Sequence, residues 1–393
     1  MTDFLPYCRQ LIEADDLAAV AEALTAEMLT TGPRVEAFEA AFCEATGAAY
    51  AVACSNGTAA LHLAMMAAGV GPGDAVIAPA VTFLATANSA RFVGAEVVFA
   101  DVDPDTGLMT AETLAEAMGR ATLPVKAVAP VHLAGRTVHL PSIAAQAAEV
   151  GACVIEDACH ALGTQMDFGM GRQRVGDGSH ASLACFSFHP VKTIATGEGG
   201  MVTTTHAGMA ERLREARSHG MTRDPDRFER ADGAGEPWWY EQQSLGLNYR
   251  LPDLNCALGL SQLKKLDRFV QRRRSLAAAY DAALAPLAPT VSVVPNPEGQ
   301  DPCLHLYVAL IDFAAAGTTR AEVMARLKSK GIGTQVHYIP VHRQPYYADR
   351  YGPISLFGAE AWYDRCLSLP LFPGMSEGDP ARVAEALAEA LGL

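Results

Sequence analysis

What this 393-residue chain has little of narrows the field before anything it contains. Basic residues are scarce: 30 Lys and Arg stand against 44 Asp and Glu, a formal net charge of -14. That balance excludes the basic face that nucleic-acid phosphates require, so any anionic ligand must be held by local cations. Cysteine has no pattern: nine residues, an odd number, without CxxC or Cys/His spacing. This excludes a zinc knuckle or a disulfide framework, and it fits reduced thiols in a cytoplasm. The opening MTDFLPYCRQLIEADD lacks the basic and apolar regions of a secretory signal. One uncharged run is long enough to test against a bilayer. Ala45 to Gly73 carries no Asp, Glu, Lys or Arg, but Ser55-Asn56-Gly57 breaks it, and it reads as strand, turn and helix, so no membrane partner is expected. No G-x-G-x-x-G follows the first strand, which disfavours a nicotinamide dehydrogenase.

What is present is a chain half hydrophobic and long enough for two cores. Short apolar runs alternate with helical patterns from about residue 50 to 205. AYAVAC, DAVIAPA, EVVFADV, VKAVAPVHL and ACVIEDA read as strands, separated by helices over Thr58–Ala68, Leu84–Phe92, Ala111–Met118 and Ser142–Val150. Such alternation implies an α/β fold, a mainly parallel central sheet with helices on both faces, and ligands at the carboxyl ends of the strands. MVTTT reads as a further strand, followed by a basic helix from about Ala207 to Ser218 and a long loop over DPDRFERADGAGEPWWYEQQ. One helix is expected from Leu254 to about Ala285. It leads into a smaller C-terminal α+β domain in which HLYVALIDF and GIGTQVHYI read as strands. The division is placed at 1–255 and 256–393.

Four positions bear on chemistry. Ser55-Asn56-Gly57-Thr58 lies between strand and helix, where exposed N–H groups bind phosphate; it reads equally as a connection capped by Thr58. Asp157 ends CVIED, either as a ligand-facing acid or as a solvated strand end, with Glu156 on the opposite face. His160 lies three residues on, a residue type more often packed than catalytic. Lys192, in SFHPVKTIATGEGG, has uncharged neighbours and a glycine-rich turn after it. Most lysines are solvated, but one in such a setting can lose its proton and attack carbonyls. A phosphate-binding helix start, an acid for a ring nitrogen and a lysine for an aldehyde together match pyridoxal 5'-phosphate (PLP).

LTTGPRVEAFE, SNGTAAL, EDACHALG, SFHPVKTIATGEGG, LGLNYRLPDLNCALGLSQL and VHYIPVH resemble landmarks of the DegT/DnrJ/EryC1/StrS sugar-nucleotide aminotransferases, over nearly the whole chain. The resemblance implies PLP-dependent transferase fold type I, with pyridoxamine 5'-phosphate as the alternate cofactor form. It implies that Lys192 carries the cofactor covalently, Asp157 pairs with the pyridinium nitrogen and His160 orients it. Gly57, Thr58 and Ser187 would hold the phosphate and Phe83 would stack on the ring. Asn248 would reach the neighbouring subunit's phosphate site, which implies a homodimer with shared active sites.

Within the family, EPWWYEQQSLGLNYRL, GIGTQVHYIPVHRQPYY and SLPLFPGM look most like the pseudaminic-acid branch. Its enzymes turn a UDP-linked 4-keto-6-deoxy-N-acetyl-hexosamine and L-glutamate into UDP-4-amino-4,6-dideoxy-N-acetyl-β-L-altrosamine. By position, Ala26, Glu27, Met28, Leu29, His337, Tyr338, Ile339 and Pro340 would contact the nucleotide sugar, with Gly57, Ser187 and Asn248. The chain departs from the branch at Thr193 and at Asn255-Cys256. For the diphosphate, Arg250 is preferred over Lys126, Arg343 and the run from Arg212 to Arg230, since a charge run is usually a solvated face. Alternatives are another nucleotide-sugar 3- or 4-aminotransferase, or a sugar 3-dehydratase, which carries histidine where Lys192 stands.

Overall fold

The computed structural model describes residues 4–169, 171–230 and 235–393. Residues 1–3 of the opening segment and 231–234 of the expected long loop lie outside that set. The central sheet has seven strands: β1 (Tyr50–Cys54), β2 (Ala75–Pro79), β3 (Glu96–Ala100), β4 (Val125–Val128), β5 (Cys153–Asp157), β6 (Leu183–Ser187) and β7 (Gly200–Thr204). Their order is β1-β7-β6-β5-β4-β2-β3. The pairs β2–β3, β2–β4, β4–β5 and β5–β6 are parallel, whereas β7 runs antiparallel to both β6 and β1.

The reversal has a local cause. The link from β6 to β7, within SFHPVKTIATGEGG, is a short return loop over residues 188–199, and its strands pair antiparallel. The longer β5–β6 connection over residues 158–182, also without a helix among its described residues, crosses over and keeps its strands parallel. Lys192 thus sits in the one connection that turns the sheet back on itself. β2 and β7 are buried at every position, as in a sheet covered on both faces. The cover is α1 (Ala14–Leu24), α2 (Pro33–Thr46), α3 (Gly57–Ala67), α4 (Leu84–Phe92), α5 (Ala111–Arg120), α6 (Leu140–Glu149), α7 (Ala207–Arg217) and α8 (Asp253–Leu263).

The helix expected from Leu254 to Ala285 is two helices, α8 and α9 (Leu266–Leu284). The break falls at Lys265, where the backbone leaves helical geometry at φ -103° and ψ 0°. Its buried side chain reaches Asp15 at 2.7 Å and Asp16 at 2.8 Å. Beyond α9, β8 (Val291–Val293), β9 (Tyr307–Ile311) and β10 (Cys366–Leu369) form an antiparallel sheet in the order β8-β9-β10. It packs with α10 (Arg320–Ser329) and α13 (Asp379–Leu391) around a second core that includes Tyr280, Leu327, Leu367 and Leu387. α11 (Pro345–Tyr351) and α12 (Phe357–Arg365) instead lend Tyr347 and Trp362 to the first core.

GIGTQVHYI is not a strand. Ile332 bridges Leu5 and Gln335 bridges Ser368, so its backbone bonds are divided between two partners and no ladder forms. Among the described residues, no helix is long and apolar enough to cross a membrane.

Candidate active site

A cavity of about 650 Å³ lies where β5 and β6 end and α3 begins, closed on its far side by residues of the C-terminal part. Strand order explains the position, because side chains at the carboxyl ends of neighbouring parallel strands converge on one edge of the sheet.

Asp157 is buried, and both of its carboxylate oxygens are held. Oδ2 accepts from the Thr86 hydroxyl at 2.6 Å, and Oδ1 from the Cys159 N–H at 3.2 Å. Since Thr86 donates to Asp157, it accepts from the Thr82 hydroxyl, 2.7 Å away. Glu156 points the other way, as alternation requires, and meets His132 Nε2 at 2.7 Å in the interior.

Lys192 lines the same cavity from the β6–β7 connection. Loss of water pushes its pKa down, against the pull of Cys159 and Asp157, which makes the neutral amine easier to reach than for a solvated lysine. The GEGG turn needs its glycines. A Cβ on Gly200 would stand 2.3 Å from the Asn56 carbonyl oxygen, and Gly197 has φ +84°. Asn255, one of the departures from the branch pattern, ties this turn down by donating to the Thr196 carbonyl at 2.7 Å and the Glu198 carbonyl at 3.2 Å.

The phosphate end has the expected form with a different cap. Asn56, not Thr58, caps α3 and accepts from the Ala59 N–H at 2.8 Å. The N–H groups of Gly57 and Thr58, which a helix leaves without internal partners, face the cavity. A Cβ on Gly57 would come within 2.8 Å of Ser187 Cβ, so glycine is what lets the helix start approach that serine.

His160 Nδ1 accepts from the Ala134 N–H at 3.4 Å, which puts the ring proton on Nε2, donating to the Tyr338 hydroxyl at 3.1 Å. Burial holds His160 neutral, with its pKa far below the ordinary range. His337 is likewise pushed down to about 3 by burial, its Nδ1 2.7 Å from Ser368 Oγ.

Of the residues singled out from sequence, Gly57, Thr58, Phe83, Asp157, His160, Ser187 and Lys192 line the cavity, together with His337, Tyr338 and Ile339. Pro340 is buried beside it. Ala26, Glu27, Met28 and Leu29 lie elsewhere, with the last two about half exposed. Asn248 is exposed, and Arg250 lines a separate cleft of about 470 Å³ with Arg214 and Arg217. Lys126 and Arg343 also stand outside the cavity, so Lys192 is its one Lys or Arg among the described residues. Sequence reasoning passed over Tyr7, Thr86, Cys159 and His305. Thr86 was findable, lying one helical turn after Thr82 at the start of α4; the others carry no local signal.

These residues fit PLP on structural grounds. An acid with pinned oxygens suits a ring nitrogen, a buried lysine whose pKa is lowered suits the aldehyde, and the glycine-opened start of α3 suits the phosphate. Comparison with known proteins agrees. Helicobacter pylori PseC, an aminotransferase involved in the biosynthesis of pseudoaminic acid, is 28% identical over 99% of this chain and 100% of its own, with a TM-score of 0.88. DesI, solved in the presence of its TDP-sugar product, is 31% identical over 100% of this chain and 93% of its own, at 0.86. A candidate sugar aminotransferase of Streptococcus pneumoniae, known in PLP and PMP forms, is 25–26% identical over 99% of each chain, at 0.86 and 0.87. The model of the DegT/DnrJ/EryC1/StrS aminotransferase family matches residues 10–388, so this chain belongs to that family, as a PLP-dependent sugar aminotransferase.

Proposed function

We propose that the chain moves the amino group of L-glutamate to C4 of a UDP-linked 4-keto-6-deoxy-N-acetyl-hexosamine, giving UDP-4-amino-4,6-dideoxy-N-acetyl-β-L-altrosamine. The observation that carries this reading is the meeting of Lys192 and Asp157 with His337, Tyr338 and Ile339 on one cavity, in a chain alike to PseC from end to end. The bound cofactor supplies a sink for the negative charge that develops beside the amino-bearing carbon. Lys192 holds the cofactor and, as a neutral amine, takes and returns the proton at the reacting carbon. Asp157, fixed by Thr86 and the Cys159 N–H, keeps a proton on the ring nitrogen. Gly57, Thr58 and Ser187 would hold the phosphate, Phe83 would pack on the ring, and His160 with Tyr338 would form the wall beside it. In this reading residues 1–255 form the cofactor-binding part and 256–393 the smaller one.

A diphosphate needs cations, and the cavity of one chain offers only Lys192. That supports a homodimer in which Asn248 and Arg250 complete the partner's site, together with residues 26–29. Nine free cysteines support a reducing, cytoplasmic setting. A second reading, a dTDP-linked keto sugar as acceptor, is favoured by the 31% identity to DesI. Offering the holoenzyme glutamate with UDP-, dTDP- and GDP-linked 3-keto and 4-keto sugars decides between them. The expected product is the UDP-linked 4-amino sugar by mass and NMR; amination of the dTDP sugar alone would replace the first reading with the second.

A further inference from the structure

His305 precedes β9 and is 2% exposed, yet it lines the same cavity as Lys192. Its ring centroid is 4.5 Å from that of His160. The two imidazoles differ in what holds them. Both nitrogens of His160 are engaged, one by the Ala134 N–H and one by the Tyr338 hydroxyl. Nδ1 of His305 has no hydrogen-bond partner among the described residues. A buried polar nitrogen left unpaired is less favourable than an apolar side chain of similar size, and unlike His132 and His342, whose Nδ1 atoms are also unpaired, His305 lines the cavity.

The surroundings indicate a ligand of negative charge. His305 is faced by His160, Lys192, Arg273 and His337, all basic, and burial with these neighbours keeps it neutral. Arg273 is fully buried, and it spends its hydrogen bonds on the His305 carbonyl at 3.1 Å, the Leu371 carbonyl at 2.8 Å and the Cys8 thiol, not on a carboxylate. Of the two acids that line the cavity among the described residues, Asp157 already has both oxygens engaged and Glu198 is exposed. The groups around His305 are therefore neutral imidazoles with one fully buried guanidinium and one amine, and no acid is among the groups that shift it. Chemistry narrows the anion further. The charge of a nucleotide sugar sits on its diphosphate, several bonds from the reacting carbon. In an amino acid, the α-carboxylate is bonded directly to the carbon that Lys192 must reach.

We infer that His305 receives the α-carboxylate of the amino donor through its ring N–H, taking up a proton from solvent as the carboxylate arrives. The inference rests on the proposed aminotransfer and adds the residue that anchors the amino donor. The carboxylate brings the counter-charge this position lacks, which favours the imidazolium; binding therefore draws a proton and tightens as pH falls.

The test uses the holoenzyme with His305→Gln and His305→Leu. The KM for glutamate is expected to rise about tenfold or more in His305→Leu, and less in His305→Gln, with the KM for the keto sugar within about twofold of wild type. Calorimetric titration of the PLP form with 2-oxoglutarate, in buffers of different ionisation enthalpy, should show proton uptake approaching one in wild type and none in His305→Gln. An unshifted glutamate KM in both variants overturns the inference, and so does the absence of proton uptake in wild type, a reading that does not depend on either variant folding. A wild-type enzyme that aminates no nucleotide-linked keto sugar would instead defeat the proposed function and leave this measurement standing.

Discussion

The cofactor half of the cavity and its substrate half are built differently. Asp157, Ser187 and the start of α3 sit on regular elements whose places follow from the parallel sheet, and each side chain or N–H is fixed by near neighbours. Residues 337–340 stand on backbone without a ladder, 26–29 and 248–250 on connections outside the cavity, and Met28 and Leu29 are about half exposed. The lesson is a division of labour. A sheet edge can hold a constant cofactor to within a few tenths of an ångström, whereas recognition of a varied sugar is left to loops that can change without disturbing the sheet.

Breaking the rigid half should have the largest effect. Lys192→Ala is expected to lower transamination about 10⁴-fold or more and to remove the absorbance of the lysine-linked cofactor near the visible edge. Unchanged turnover would sink the assignment of the cavity. Thr86→Val, nearly isosteric, should cost about 10- to 100-fold in kcat, from the loss of a hydrogen bond to a charged group worth about 1.5–3 kcal/mol, with little change in either KM. A kcat equal to wild type would mean that Asp157 is held adequately by the Cys159 N–H alone. The mildest test falls on the loop half: Arg250→Ala should raise the KM for the nucleotide sugar by about tenfold and leave that for glutamate alone. Equal rises for both substrates would take Arg250 out of sugar-nucleotide recognition and blur the contrast between the halves.

The same contrast accounts for what was legible in the sequence. Alternating apolar runs gave α4 to the residue and β1, β2, β3 and β5 to within about two, because fully buried strands must be continuously apolar. β6 was hidden because its short apolar run LACFS passes without a turn signal into SFHP, whose proline and polar residues read as loop. The split of α8 from α9 was invisible locally; the acids that hold Lys265, where it falls, lie some 250 residues earlier. GIGTQVHYI misled for a similar reason. Its apolar pattern suits a strand, but its bonding partners, Leu5 and Ser368, come from distant parts of the chain. In the site, Lys192 and Asp157 stood out because strand ends and glycine turns leave a mark in sequence. His305 and Tyr7 left none, since only tertiary contact brings them to the cavity.

The first described residues are stitched across this architecture. The Leu5 N–H donates to the Gly331 carbonyl, its carbonyl accepts from Gly333, and the Tyr7 carbonyl accepts from Leu371. The Cys8 thiol then reaches the carbonyl of Val191, next to the reactive lysine. Anything appended ahead of this stitch hangs from a strap that ends one residue from the chemistry. An affinity handle therefore belongs after Leu393, which is 58% exposed and distant in the chain from that strap.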